Sequence, residues 1–112
     1  MVHEDYDRED RIEMIEILFR KNGFEVSGHS GFDVKGCDIV CSAVSVLTQH
    51  TARILERRCR ASVTREEGSL KVSLKKIDDL SRILIEELYI SLKDLEKQYP
   101  GNLKVEVIGN GS

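Results

Sequence analysis

Nowhere does this chain reach the ~18 consecutive apolar residues that a membrane span requires, and its opening, "MVHEDYDRED", is acidic where a secretion signal would be basic. The sequence therefore predicts a cytoplasmic protein with no membrane partner. It also lacks a surplus of positive charge. Against 17 Lys and Arg stand 20 Asp and Glu, a formal net charge of -3, and a general polyanion binder needs a basic surface from which counterions can be released. Direct nucleic-acid binding is not expected, although a local basic patch is compatible with that total. Cysteine is scarce and odd in number, at three. Without a secretion signal the three are expected as reduced thiols, to be explained by reactivity, metal binding or burial. Internal repeats, low-complexity tracts and linkers are missing too. A chain of 112 residues, 40% apolar, is then one domain that can bury roughly 65% of its unfolded surface without disulfides or a structural metal.

What is present has two periodicities. Residues 1–13 are rich in charge and poor in apolar side chains, which predicts a flexible, solvated extension, with residues 14–112 as the single domain. The stretch "MIEILFRKNGFEVSG" gives two β-rich runs, Met14 to Arg20 and Phe24 to Gly28, divided by Asn22-Gly23, a pair suited to a tight hairpin turn. Then Val40, Ala43, Val44, Leu47, Thr51, Ile54 and Leu55 recur at three- and four-residue steps, the stripe of an amphipathic helix capped by Asp38. Alternation at Ala61 and Val63, and again at Leu70, Val72 and Leu74, flanks "EEGS" as a second hairpin. A second helix follows, opened by Asp78 or Asp79, carrying Leu80, Leu84, Leu88, Leu92, Leu95 and Tyr99 on one face and stopped by the chain's one proline, Pro100, with Gly101. Alternating Leu103, Val105 and Val107 close the pattern. The expected fold class is α+β, a mainly antiparallel sheet covered by two helices in the order β-β-α-β-β-α-β.

The chemistry is concentrated in "GHSGFDVKGCDIVCSAVS", residues 28–45, which places His29, Cys37 and Cys41 between a strand and a helix. A thiol in the first helical turn meets exposed backbone N–H groups and the positive end of the macrodipole, and a histidine nearby strengthens the bias toward thiolate. The same N–H groups suit the oxyanion that forms when a thiolate attacks an amide. Gly28, Gly31 and Gly36, with Ser30, would form an adaptable loop that lets a peptide backbone approach.

Plainer readings compete at each position. Cys41 in an amphipathic helix serves equally as a small apolar residue, and His29 as a polar loop residue. A metal site of His29, Cys37 and Cys41 lacks an evident fourth ligand, and its spacing fits no standard zinc template, so neither metal nor cofactor is expected. Cys59 reads as packing and His50 as structural. Arg57, Arg58 and Arg60 read as cations offsetting a helix C-terminus, with an RNA contact as the sharper alternative.

"GHSGFDVKGCDIVCSAVSVLTQ" resembles the signature of the bacterial ribosomal-processing cysteine protease family, Prp, in which a Gly-His pair ends a strand and an Asp-x-x-Cys-x-x-x-Ser run begins a helix. "GSLKV" and "VEVIGNGS" resemble that family as well, so the likeness covers Met14 to Ser112. It implies a homodimeric endopeptidase that removes the N-terminal extension of the precursor of large-subunit ribosomal protein number twenty-seven. Cys41 would be the nucleophile, His29 the general base, and Asp38 and Ser45 supporting residues, with no cofactor. Residues 30–37 would close over the substrate. Residues 1–13 and Cys37 fall outside the motif and receive no role. Two alternatives belong to other classes: a non-enzymatic ribosome-associated module using Arg57 to Arg60, and a thiol redox sensor using Cys37 and Cys41. The second helix adds a further expectation. Ile83, Ile85 and Ile90 lie off its leucine stripe, more apolar surface than one small sheet needs, which suits a self-complementary dimer interface.

Overall fold

The computed structural model describes residues 14–28 and 38–109, without the side chain of Asp38. Strict alternation decides the sheet. Ile15, Ile17 and Phe19, Phe24 and Val26, Leu70 and Val72, and Leu103 and Val105 are all buried, while the residues between them, such as Glu16, Lys71 and Lys104, face solvent. Five strands and two helices result: β1 (Ile15–Arg20), β2 (Gly23–Ser27), α1 (Asp38–Cys59), β3 (Ser62–Glu66), β4 (Ser69–Ser73), α2 (Asp79–Gln98) and β5 (Leu103–Val107). This is the expected order. In space the strands run β3-β4-β2-β1-β5. Every pairing is antiparallel except β1 with β5, where Ile15 lies beside Leu103 and Ile17 beside Val105.

The hairpin turn leaves no room for a side chain at its end. A Cβ on Gly23 would overlap the Val72 carbonyl oxygen of the neighbouring strand. Above the apolar face, α1 contributes Val40, Val44, Ala52 and Leu55, and α2 contributes Leu88 and Leu92, to one core cluster with the strands. Burying a residue such as Phe24 or Leu92 stabilises the fold by about 1.5–3 kcal/mol. Arg65, at the β3 edge, reaches Gln49 and Glu56 of α1. Phe19 of β1 meets Tyr89 of α2 edge-on, ring centroids 5.3 Å apart. The helices thus divide the sheet: α1 lies toward β3, α2 toward β1 and β5.

The outer edge of β5 is closed by side chains of α2. Glu96 Oε2 accepts the Val105 N–H at 2.9 Å, and Lys93, paired with Glu96 at 2.8 Å, donates to the Val105 carbonyl at 3.5 Å. The Lys93 ammonium, then the Val105 N–H, hold the Glu96 carboxyl below its ordinary range. Such an edge cannot accept another strand at Val105.

Four expectations shift. Leu80, assigned to the buried stripe of α2, is 43% exposed, because steps of four residues drift around a helix of about 3.6 residues per turn, so that the fully buried Ser81 faces the core in the first turn instead; Leu84 and Leu95 are half-buried, leaving Leu88 and Leu92 as the buried leucines of the stripe. Val107, last of the β5 alternation, is 62% exposed where the strand outruns its cover. His50 is exposed rather than structural, its Nδ1 3.4 Å from the Arg53 guanidinium. Asp38, expected just outside α1 as its cap, is the helix's first residue, and the fully buried Val40 fixes that first turn on the core.

Candidate active site

Two element ends carry the described candidate residues. At the first, β2 stops at Ser27 and Gly28 takes φ 77°, the left-handed region open to glycine. Space reinforces the choice. A Cβ on Gly28 would stand 2.5 Å from the Met14 carbonyl oxygen, so the chain leaves β2 pressed against the residue that leads into β1. At the second, α1 starts at Asp38, which makes Cys41 its fourth residue.

The helix pattern dictates how Cys41 is held. Val40, Val44, Thr48, Thr51, Ala52 and Leu55 are buried along one face. Cys41 and Ser45, four residues apart, flank that face and are half-buried, and Cys41 packs against the core cluster. The thiol is thus anchored by the core yet reachable from one side. The first turn of an α-helix leaves its N–H groups without intrahelical acceptors, and its dipole favours a developing anion there. Thr48, buried one turn beyond Val44, returns its hydroxyl to the Val44 carbonyl at 2.7 Å, which satisfies a polar group that the apolar periodicity does not flag.

Cys59 provides an internal control. It sits at the opposite end of α1, where burial, and then the negative charge of Asp78, push its thiol up from the ordinary value. Both effects disfavour thiolate. Of the two cysteines among the described residues, Cys41 stands at the start of α1 and Cys59 at its end, and Cys59 packs against the core as expected.

His29, Ser30, Gly31, Gly36 and Cys37 lie outside the described residues, as does the extension 1–13. The structure places Gly28, Cys41 and Ser45. Among the described residues no helix is long and apolar enough to cross a membrane, and no three His, Cys, Asp or Glu side chains are grouped to hold a metal ion. The close approach of Gly28 to Met14 was not foreseen from the sequence. Its only trace there is a glycine directly after an alternating strand.

The family described as cysteine protease Prp matches residues 14–104 of this chain. Among solved structures the fold is similar to that of SMU.848 from Streptococcus mutans, with 26% identity over 89% of this chain and 98% of that one and a TM-score of 0.74. It is also similar to the essential ribosomal processing protease Prp from S. aureus in complex with a substrate peptide, with 16% identity, the same 98% of that chain, 85% of this one and a TM-score of 0.72. A complex of the same S. aureus protease with a covalently linked product peptide gives 17% identity over 85% of this chain and 98% of that one, with a TM-score of 0.69. No curated protein matches this chain closely enough to count as a relative.

Proposed function

The chain belongs to the cysteine protease Prp family, and from that premise we propose that it is the endopeptidase that removes the N-terminal extension of large-subunit ribosomal protein number twenty-seven, with Cys41 as nucleophile and His29 as general base. One observation carries the assignment of the nucleophile. Cys41 stands in the first turn of α1, anchored by the core and half-exposed, while the other described cysteine is held as a thiol by burial and by Asp78. The S. aureus protease of similar fold has been seen with a covalently linked product peptide, which agrees with an acyl-enzyme route.

In that route His29 takes the proton of the Cys41 thiol, and Sγ attacks the scissile carbonyl carbon. The oxyanion is stabilised by N–H groups at the start of α1. Collapse of the adduct breaks the C–N bond, and His29 returns its proton to the departing amine. Water, deprotonated by His29, then cleaves the thioester and restores the thiol. Asp38 orients the loop-to-helix junction, and Ser45, one turn beyond Cys41 on the same side of α1, supports the thiol. Residues 30–37 close over an extended peptide, which supplies selectivity that one small domain could not otherwise provide. A ribosomal precursor as substrate places the enzyme in the cytoplasm.

The enzyme is further proposed to act as a homodimer. Leu80, Ile83, Ile90, Val107 and Ile108 are each at least 42% exposed. A concavity of about 360 Å³ between α2 and the ends of β1 and β5 is lined by Phe19, Ile85, Tyr89, Ile90 and Val107. A largely apolar surface of this kind, with Arg20 and Glu86 also lining the concavity, suits a two-fold contact.

The test is incubation with a synthetic peptide bearing the precursor extension, read by product mass. Cleavage at one bond, lost in His29→Ala while slow iodoacetamide alkylation of Cys41 persists with an altered pH dependence, is the expected result. An intact peptide, or alkylation unchanged in rate and pH dependence, would remove the substrate or the dyad respectively.

A further inference from the structure

Charge is not spread evenly over this acidic chain. Between Arg53 and Lys76 stand eight of its 17 Lys and Arg but only three of its 20 acidic residues, Glu56, Glu66 and Glu67. The fold gathers most of those cations at one place, where α1 ends and the β4–α2 connection passes beside it. A concavity of about 340 Å³ there is lined by Arg58, Arg60, Lys75 and Lys76, with Cys59 and Asp78. Sharing Arg58 with it, a second concavity of about 240 Å³ is lined by His50, Arg53, Ile54 and Arg57. Arg57, Arg58, Arg60, Lys75 and Lys76 are all exposed, and among the described residues none of the five is in an ion pair. Glu56 pairs with Arg65, and Asp78, the one acidic residue lining the larger concavity, accepts the Ser81 N–H at 2.9 Å and acts on Lys76, one charge against four cations.

Offsetting the dipole of α1 explains Arg57 and Arg58 in its last turn. It does not explain Lys75 and Lys76, which lie outside any helix, nor the backbone of Arg60. Arg60 has φ 59°, the only non-glycine residue with positive φ among those described. Glycine is the unstrained choice where a helix ends in the left-handed region. A long cation at that point, aimed into a concavity already lined by cations, calls for an anion to justify it.

We propose that this end of the molecule is a docking surface for the phosphodiester backbone of RNA. The choice of RNA among polyanions rests on the proposed function, which puts the enzyme beside a ribosomal precursor. Spacing is compatible with simultaneous work at the active site. Cys41 and Arg58 are separated by about 25 Å along α1 at 1.5 Å per residue, so bound RNA would leave the thiol open. Recognition is electrostatic and indifferent to sequence, because Arg lines both concavities, joined by Lys75 and Lys76 in the first, and no Phe, Tyr or Trp is among their lining residues.

The full chain would be titrated against an unstructured single-stranded RNA of about twenty nucleotides by fluorescence anisotropy at several salt concentrations. Saturable binding is expected at about 50 mM salt, with log affinity falling at a slope of about -3 against log salt if four phosphates are engaged. The triple variant Arg58→Glu, Lys75→Glu, Lys76→Glu should bind at least tenfold more weakly with a flatter slope, and should cleave the synthetic peptide within about twofold of the parent. Arg60→Gly guards against misfolding as the cause. It relieves the left-handed backbone, so it should melt no lower than the parent yet lose affinity. The proposal is overturned by absence of saturable binding in the parent chain, by unchanged affinity in both variants, or by binding to phosphatidylserine vesicles without binding to RNA. RNA binding that persists where the peptide is not cleaved would sink the peptidase assignment alone.

Discussion

Helix α2 opens on a closed circuit of hydrogen bonds: Asp78 accepts the Ser81 N–H at 2.9 Å, and the Ser81 hydroxyl accepts the Asp78 N–H at 2.9 Å. Helix α1 opens on a half-exposed thiol, three residues inside a start that its own buried Val40 holds to the core. In α2 the N-terminal N–H groups are consumed by side chains and stabilise the fold. At the start of α1 no such reciprocal pair is present among the described residues, and the positive end of its dipole favours an anion. The same physical feature of a helix thus serves structure in α2 and, in the function proposed above, chemistry in α1.

That contrast can be broken most sharply at Cys41. Replacing it by Ala is expected to reduce cleavage of the precursor peptide at least a thousandfold, while stability changes by no more than about 1 kcal/mol, since a half-buried sulfur carries little packing. Residual cleavage near the parent level would return Cys41 to the status of a packing residue, equal to Cys59. Gly28→Ala attacks the other side of the site. Its left-handed backbone and the Met14 oxygen 2.5 Å from the new Cβ should cost about 2–4 kcal/mol in urea denaturation, with a loss of activity because the end of β2 must shift. If the variant unfolds like the parent, the Met14 carbonyl does not press on Gly28.

A smaller effect is expected at the outer face of α2, where Ile90→Glu should raise the dissociation constant of the dimer at least tenfold in light scattering and leave monomer stability nearly unchanged, because Ile90 is already 53% exposed. A monomeric parent at micromolar concentration would end the dimer proposal. Smallest of all is the pH dependence of the α2 cap. The Ser81 N–H, chiefly, and then the Ser81 hydroxyl hold the Asp78 carboxyl below its ordinary value. A depressed folded value contributes stability that is fully present above the unfolded value, near 3.9, and is lost as pH falls through the folded one. Asp78→Asn, which retains a capping oxygen without the charge, should therefore melt slightly below the parent at neutral pH and approach it toward pH 2. A gap between the two melting curves that widens in acid would contradict the cap's role.

The strands and helices were legible because their signals are local. Alternation at Ile15, Ile17 and Phe19 and the four-residue steps of Val40 and Val44 each fix a face from one segment of chain, and burial in the core agrees with them. The Asp78 start and the Pro100 stop of α2 were legible for the same reason. Leu80 is exposed because a four-residue repeat drifts around a helix of about 3.6 residues per turn, which brings Ser81 to the core in its place, and Val107 because its exposure depends on how far a partner element extends, which no local period records. At the site, the spacing of Gly28, Asp38, Cys41 and Ser45 marked a strand end and a helix start. The contact between Gly28 and the Met14 carbonyl joins residues fourteen apart through sheet register, and only that register brings them together.

By itself, then, the sequence determined the element order, the faces that must be buried and the position of a thiol in a first helical turn, all properties of neighbours along one segment. Tertiary structure alone decided three things. It ordered the strands as β3-β4-β2-β1-β5 with β5 parallel to β1, since a crossover helix can place its strand on either side until packing chooses. It sealed the β5 edge with Lys93 and Glu96. And it drew Arg58, Arg60, Lys75 and Lys76 around one concavity in a chain whose net charge is -3. A total charge is a sum over the chain, whereas the field at a surface depends on distance, and distances are set only when the chain folds.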